Sequence, residues 1–224
     1  KVTGTSPVRP TREQIEAALP AFTGEIVQVP PAYSAIKVQG ERAYDLARDG
    51  EEVVLEPRTV EVLESRLVGM PDADHAEFEI LCGKGTYVRA WVRDIAKAMG
   101  TLGYVSDLRR TRIGGFSAET AIGLEKLKAL GHGPAAFEHL RPIATALDGI
   151  PALAVTGPDA VRLKSGNSVL VRANIFARLT ECVSGDDLQG LTVFCSTPEG
   201  EPVALAELEQ GELRPFRVFN FGTG

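Results

Sequence analysis

The spacing of apolar and polar residues divides the chain into a mixed helix-and-strand half and a strand-rich half. Thr11 with Gln14 three residues later makes a capping box, and Ile15, Ala18 and Leu19 then share one face. The pattern predicts a short helix over residues 12–19 and a strand over 24–29. Pro30 and Pro31 hold the next segment extended, Gly40 permits a turn, and a second short helix is expected over 42–48, with Gly50 as its stop. Val60 and Val62, set among Glu61 and Glu64, predict a half-exposed strand over 58–67. Ala76, Phe78, Ile80 and Cys82 alternate with Glu77, Glu79 and Leu81, so a turn at 71–74 should close a hairpin.

That second strand runs into Gly83-Lys84-Gly85, after which Val88, Trp91, Val92, Ile95 and Met99 recur at helical spacing up to Gly100. A strand-to-helix junction is therefore expected, with a tyrosine and an arginine, Tyr87 and Arg89, emerging where backbone amides and the helix dipole favour an anion. A further strand is expected over 104–113 and a helix over 124–130. Around 142–151 the texture changes. Short apolar runs beginning at Leu153, Val169, Leu191, Val203 and Phe216 are separated by Gly, Pro, Asn and Asp turns, as in a small β barrel or sandwich, and only 158–164 reads as helical.

Charge adds a contrast that the pattern does not contain. The whole chain carries a formal net charge of -6. Yet between Gly83 and Ile113 the cations Lys84, Arg89, Arg93, Lys97, Arg109, Arg110 and Arg112 face only Asp94 and Asp107. Overall charge will not draw this protein to polyanions, whereas that local field can hold RNA or DNA at one place. From Pro142 onward the balance is acidic, so a basic body precedes an acidic β module. No apolar run approaches the ~20 residues of a membrane span, no signal sequence is evident, and the cytoplasm is the expected compartment. Cys82, Cys182 and Cys195 show no C-x-x-C spacing and only three histidines are present, which supports neither a disulfide framework nor a zinc site.

Two stretches carry candidate chemistry. In the run from Gln28 to Arg48, Lys37, Arg42 and Arg48 are interleaved with Tyr33 and Tyr44. Cations neutralise phosphates and aromatic faces stack on unpaired bases, so this mixture suits RNA. An exposed loop with tyrosines packed on the body would read the same way, as would a solvated turn and helix face at 83–97. Spacing alone leaves both readings open.

With these residues set out, the chain resembles the TruB family of tRNA pseudouridine synthases. The family run Q-x-P-P-x-Y-S-A-x-K-x-x-G-x-x-x-Y-x-x-A-R is met from Gln28 to Arg48, K-G-T-Y-[IV]-R from Lys84 to Arg89, and L-R-R from Leu108 to Arg110. The resemblance implies an α+β fold, with a mixed, largely antiparallel sheet and flanking helices, followed by a small PUA-like β barrel. It implies a catalytic domain over 1–145, with an RNA-clamping loop at about 29–57, and a PUA-like module over 146–224. The implied activity is isomerisation of the T-loop uridine of tRNA, with no cofactor and no metal. The implied partner is tRNA through its T arm, with no membrane, and the chain is expected to act as a monomer.

Residue by residue, the resemblance makes Tyr87 the contact of a flipped uracil, Arg89 the partner of the catalytic aspartate, and Leu108 an apolar wall against the target base. Tyr33, Lys37, Arg42, Tyr44, Arg48, Lys84, Arg109 and Arg110 become candidates for RNA contact. One departure stands out. The family aspartate lies in G-x-L-D-P-L-A-[ST]-G, which this sequence does not contain; its nearest imitation, Leu147-Asp148-Gly149-Ile150-Pro151-Ala152, has its alanine one place late. The expectation is therefore of a fragment, beginning inside the catalytic domain and inactive alone, whose nucleophile lies outside the chain. The same departure leaves open a non-catalytic RNA-binding or RNA-folding module.

Overall fold

The structure is a computed structural model of the 224-residue chain and describes residues 3–38, 40–50, 53–171 and 188–221. Contacts divide it into two compact units, Lys1–Leu108 and Arg109–Gly224.

In the first unit, helix α1 (Arg12–Ala18) starts at the expected capping box: the Gln14 amide N–H donates to Thr11 Oγ1 at 3.4 Å and the Thr11 N–H to Gln14 Oε1 at 2.9 Å. The reciprocal bonds satisfy two backbone donors that a helix start otherwise leaves open. A 3-10 turn, Leu19–Phe22, leads into β1 (Gly24–Gln28). A two-residue hairpin, β2 (Lys37–Val38) and β3 (Glu41–Arg42), turns at Gly40, whose φ is 96°, and feeds α2 (Ala43–Arg48). Strands β4 (Arg58–Asp72) and β5 (His75–Cys82) then form a long hairpin, and the sheet order is β1-β4-β5, antiparallel throughout. Strand β4 runs five residues past the expected end at 67. Pairing with β5 carries it to the turn through shifts of register, although its own alternation has faded.

Helix α3 (Val88–Ala98) lies on this sheet through the expected apolar face. Trp91 is fully buried, with its ring edge-on to Phe78 at 5.2 Å and to Phe22 at 6.4 Å between centroids. Its indole N–H donates to the Phe22 carbonyl at 3.0 Å, so the one polar atom of the ring is satisfied inside the core. Ile95, Val62 and Leu19 complete the buried centre, with Phe78, Ile80 and Cys82 from the inward face of β5.

The strand expected over 104–113 is not formed. Only β6 (Arg112–Ile113) pairs, with β7 (Phe116–Ser117). Tyr104 is 83% and Leu108 60% exposed, with only Val105 partly covered between them, and among the described residues 104–111 has no partner strand. Period-2 alternation stabilises a strand only when one face is covered and the ladder bonds are shared.

The second unit continues with short helices α4 (Leu124–Leu130), α5 (Pro134–Phe137) and α6 (Ile143–Ala146). Gly115, in the β6–β7 turn, approaches α6 so closely that a Cβ there would lie 2.8 Å from the Thr145 carbonyl. Strand β8 (Ala152–Ala154), helix α7 (Gly157–Lys164), and strands β9 (Val169–Leu170), β10 (Leu191–Ser196), β11 (Pro202–Glu209) and β12 (Glu212–Val218) follow. All five expected apolar runs join one sheet of order β8-β10-β11-β12-β9; β8 is parallel to β10 and the remaining pairs are antiparallel. Leu163 of α7 packs on Val193, Cys195, Val203, Ala204, Ala206, Leu208 and Leu213 to form a second core. The architecture is α+β with antiparallel sheets, as the sequence led us to expect. Cys182 lies outside the described residues.

Candidate functional site

The junction after β5 is built by three backbone requirements. The Gly83 N–H donates to the Glu61 carbonyl at 2.8 Å, and Thr86 Oγ1 donates to the same oxygen at 3.4 Å, pinning the turn to β4. Gly85 takes φ 85°, a region side chains disfavour. Tyr87 is the N-cap of α3, with extended φ -101° and ψ 105°, and its carbonyl accepts the N–H groups of Ala90 and Trp91, each at 3.0 Å.

Arg89 sits in the first turn of α3, exposed, with Nη2 donating to the Tyr33 carbonyl at 2.8 Å. One turn further on, Arg93 Nη2 donates to the Val29 carbonyl at 2.9 Å while its guanidinium also pairs with Asp94. The extended, proline-fixed run that leaves β1 is thus laid along the N-terminal half of α3. Two stretches far apart in sequence, 28–48 and 84–89, meet there.

Beyond Tyr33 the run folds back on itself. The Tyr44 N–H donates to the Ser34 carbonyl at 3.1 Å and the Ala43 N–H to the Ile36 carbonyl at 2.7 Å, while the Tyr33 hydroxyl reaches the Ala47 carbonyl at 3.4 Å. Tyr33 remains 56% exposed. The guanidinium carbons of Arg42 and Arg48 stand 5.8 Å and 5.4 Å from the centroid of the Tyr44 ring, within cation–π range. Lys37 and Arg42 are directly opposed across β2 and β3. Like charges at paired positions destabilise a hairpin unless an anion bridges them.

Among the described residues, none of Lys37, Arg42, Arg48, Lys84, Arg89, Arg109 or Arg110 is paired with a carboxylate. Their charge is therefore not neutralised by a carboxylate within the described residues. Leu108 closes the first unit outside its buried core, its N–H held by Asp107 Oδ1 at 2.8 Å. Arg109 and Arg110 open the second unit, exposed. Asp148 is exposed just beyond α6. Among the described residues no cluster of His, Cys, Asp or Glu is placed to hold a metal ion, and no helix is long and apolar enough to cross a membrane.

Sequence reasoning gave Arg93 only as part of a basic face and gave Gln28 no role. The signals for Gln28 were its place at the head of the proline run, where a polar residue ends a strand, and its standing as the first fixed residue of the family run; which residues it meets depends on the packing of β1 beside α3.

Residues 1–88 match the N-terminal domain of TruB family pseudouridylate synthases, and residues 89–148 match the C-terminal domain of tRNA pseudouridylate synthase B. The tRNA pseudouridine synthase B of Caulobacter vibrioides is 53% identical over 219 residues, covering 98% of this chain and 69% of that protein. The enzyme of the same name from Bradyrhizobium diazoefficiens is also 53% identical, over 98% of this chain and 62% of its own length. In fold, the chain is similar to a solved H/ACA ribonucleoprotein bound to a substrate RNA containing 2'-deoxyuridine, with a TM-score of 0.67 at 19% identity over 99% of this chain and 64% of that one. The class is that of the pseudouridine synthases, which are isomerases. The chain belongs to the TruB family within it.

Proposed function

We propose that this chain supplies the RNA-gripping and base-holding part of an enzyme that isomerises the T-loop uridine of tRNA to pseudouridine. One observation carries the reading: Arg89 of the strand-to-helix turn bonds to the Tyr33 carbonyl, at the root of the segment that presents Lys37, Arg42, Tyr44 and Arg48. Base-site and backbone-gripping groups so linked suit a reaction in which a uridine must leave its stack, at a cost of a few kcal/mol, and be held at its edges and faces.

In this reading Tyr87 offers a ring face and a hydroxyl to the extruded uracil, and Leu108 a wall that excludes water. An aspartate acts as nucleophile, the glycosidic bond breaks, the base turns, and a carbon–carbon bond forms to C5. Arg89 keeps that aspartate ionised, since an opposite charge in hydrogen-bonding reach lowers a carboxyl pKa by about 1 to 3 units. With five N–H donors the guanidinium can serve the carboxylate and the Tyr33 carbonyl together. The aspartate is one this sequence does not contain. The sheet of the second unit forms the core of a PUA-like module, with the functional boundary at 145/146, shortly before β8 begins.

The test is tritium release from tRNA carrying 5-tritiated uridine, with the 224-residue chain as the only protein. Isomerisation to a C5 glycoside must expel that hydrogen. No release, together with tight binding of the T-arm stem-loop, is the expected result. Release above a no-protein blank would place the nucleophile among the chain's own aspartates, Asp148 included. Absence of T-arm binding would remove the proposal altogether.

A further inference from the structure

Gln28 ends β1 and is 2% exposed, an uncharged but strongly polar side chain inside the first unit. Its amide is spent on one residue. Gln28 Oε1 accepts the Tyr87 N–H at 3.1 Å, and Gln28 Nε2 donates to the Tyr87 carbonyl at 3.5 Å. As N-cap of α3, Tyr87 has no side-chain cap, and its N–H is one of the donors a helix start cannot satisfy from within. The helix holds the Tyr87 carbonyl through the Ala90 and Trp91 N–H groups, and the Gln28 amide supplies the partner for the Tyr87 N–H.

We propose that Gln28 is a positioning residue for the reaction, setting the backbone of Tyr87 and tying it to the RNA-gripping segment. This rests on the reading of Tyr87 as the uracil contact. The same short run is held to α3 at two further points, by Arg93 at the Val29 carbonyl and by Arg89 at the Tyr33 carbonyl. A pull on the segment by bound RNA is thus delivered to Tyr87 through a buried amide rather than through solvent. A misplacement of about 1 Å at such a site costs about 100-fold in rate.

Gln28→Met keeps length and volume and removes both bonds, while Gln28→Glu keeps the acceptor for the Tyr87 N–H. In the enzyme assayed on tRNA, Gln28→Met should lower kcat by roughly 10- to 100-fold and leave KM within about threefold, with Gln28→Glu recovering part of the loss. A folded Gln28→Met enzyme with kcat unchanged overturns the proposal. Tyr87→Ala, run in parallel, separates the two failures: unchanged kcat there removes the uracil-contact reading, whereas loss of kcat in Tyr87→Ala beside a normal Gln28→Met removes only the positioning role. Should Gln28→Met not fold, amide exchange in the unmodified protein decides. The Tyr87 N–H should be protected, and exchange as fast as that of an exposed turn amide such as Lys84 overturns the proposal.

Discussion

Arg89 Nη2 lies 2.8 Å from the Tyr33 carbonyl, so an arginine at a helix start secures the root of a loop 56 residues away in sequence. The bond uses one of five guanidinium N–H groups and leaves the charge unneutralised within the described residues. Arg89 can therefore hold the loop and face an anion at once.

Replacing Arg89 by alanine in active enzyme should lower turnover by roughly 100-fold or more, the scale for losing a preorganised charge-assisted donor. The Kd for tRNA should change much less, because Lys37, Arg42 and Arg48 remain. Single-turnover rates set beside filter-binding affinities check this, and equal losses in both would refute the assigned role.

Lys37 and Arg42 face each other across the β2–β3 pair, an arrangement that invites a bridging phosphate. Changing either to glutamine should reduce the slope of log affinity against log salt by about 0.7 to 0.9 for each phosphate no longer neutralised. For Lys37→Gln the free protein should lose no stability and gain a few tenths of a kcal/mol from relieved repulsion, whereas Arg42→Gln also gives up the contact with the Tyr44 ring. A salt titration of T-arm binding and a urea melt read the two effects separately.

Trp91 joins sheet, helix and 3-10 turn. Trp91→Ala should destabilise by about 3 to 5 kcal/mol, combining the cavity with loss of the bond to the Phe22 carbonyl. Trp91→Phe should cost distinctly less, and chemical denaturation of both variants gives the comparison.

Ser34 is buried, and its hydroxyl has no hydrogen-bond partner among the described residues. Ser34→Ala should be neutral or stabilising within about 1 kcal/mol, because a buried unsatisfied hydroxyl bears its desolvation cost uncompensated. A loss well above that in a urea melt would mean the hydroxyl has a partner in solution.

Cys195 is buried in the second core, and burial pushes its thiol up to about 12. An unfolded thiol ionises near 8.5, so between these values the folded chain keeps a proton that the unfolded chain has lost. Its stabilising effect is fully present below about pH 8.5 and is lost as pH rises toward 12, approaching about 1.4 kcal/mol per pH unit. Stability measured from pH 8 to 10 should fall more steeply for the unmodified protein than for Cys195→Ala.

What the sequence determined by itself is whatever local rules decide. The capping box at Thr11 and Gln14, the apolar face of α3 around Trp91 and Ile95, the inward side of β5 and the five apolar runs of the second unit each follow from spacing within a few residues. The motif residues were legible too, because Tyr87, Arg89 and the run from Gln28 to Arg48 stand in fixed order along the chain. What only the tertiary structure decided is which of them meet. That Arg89 bonds to Tyr33, that Arg93 holds Val29 and that Gln28 clamps Tyr87 depend on β1 lying beside the start of α3, an arrangement no local pattern encodes. The same dependence explains the strand that did not form at 104–111: a strand gains its stability from a partner ladder and a covered face, and among the described residues this stretch has no partner strand.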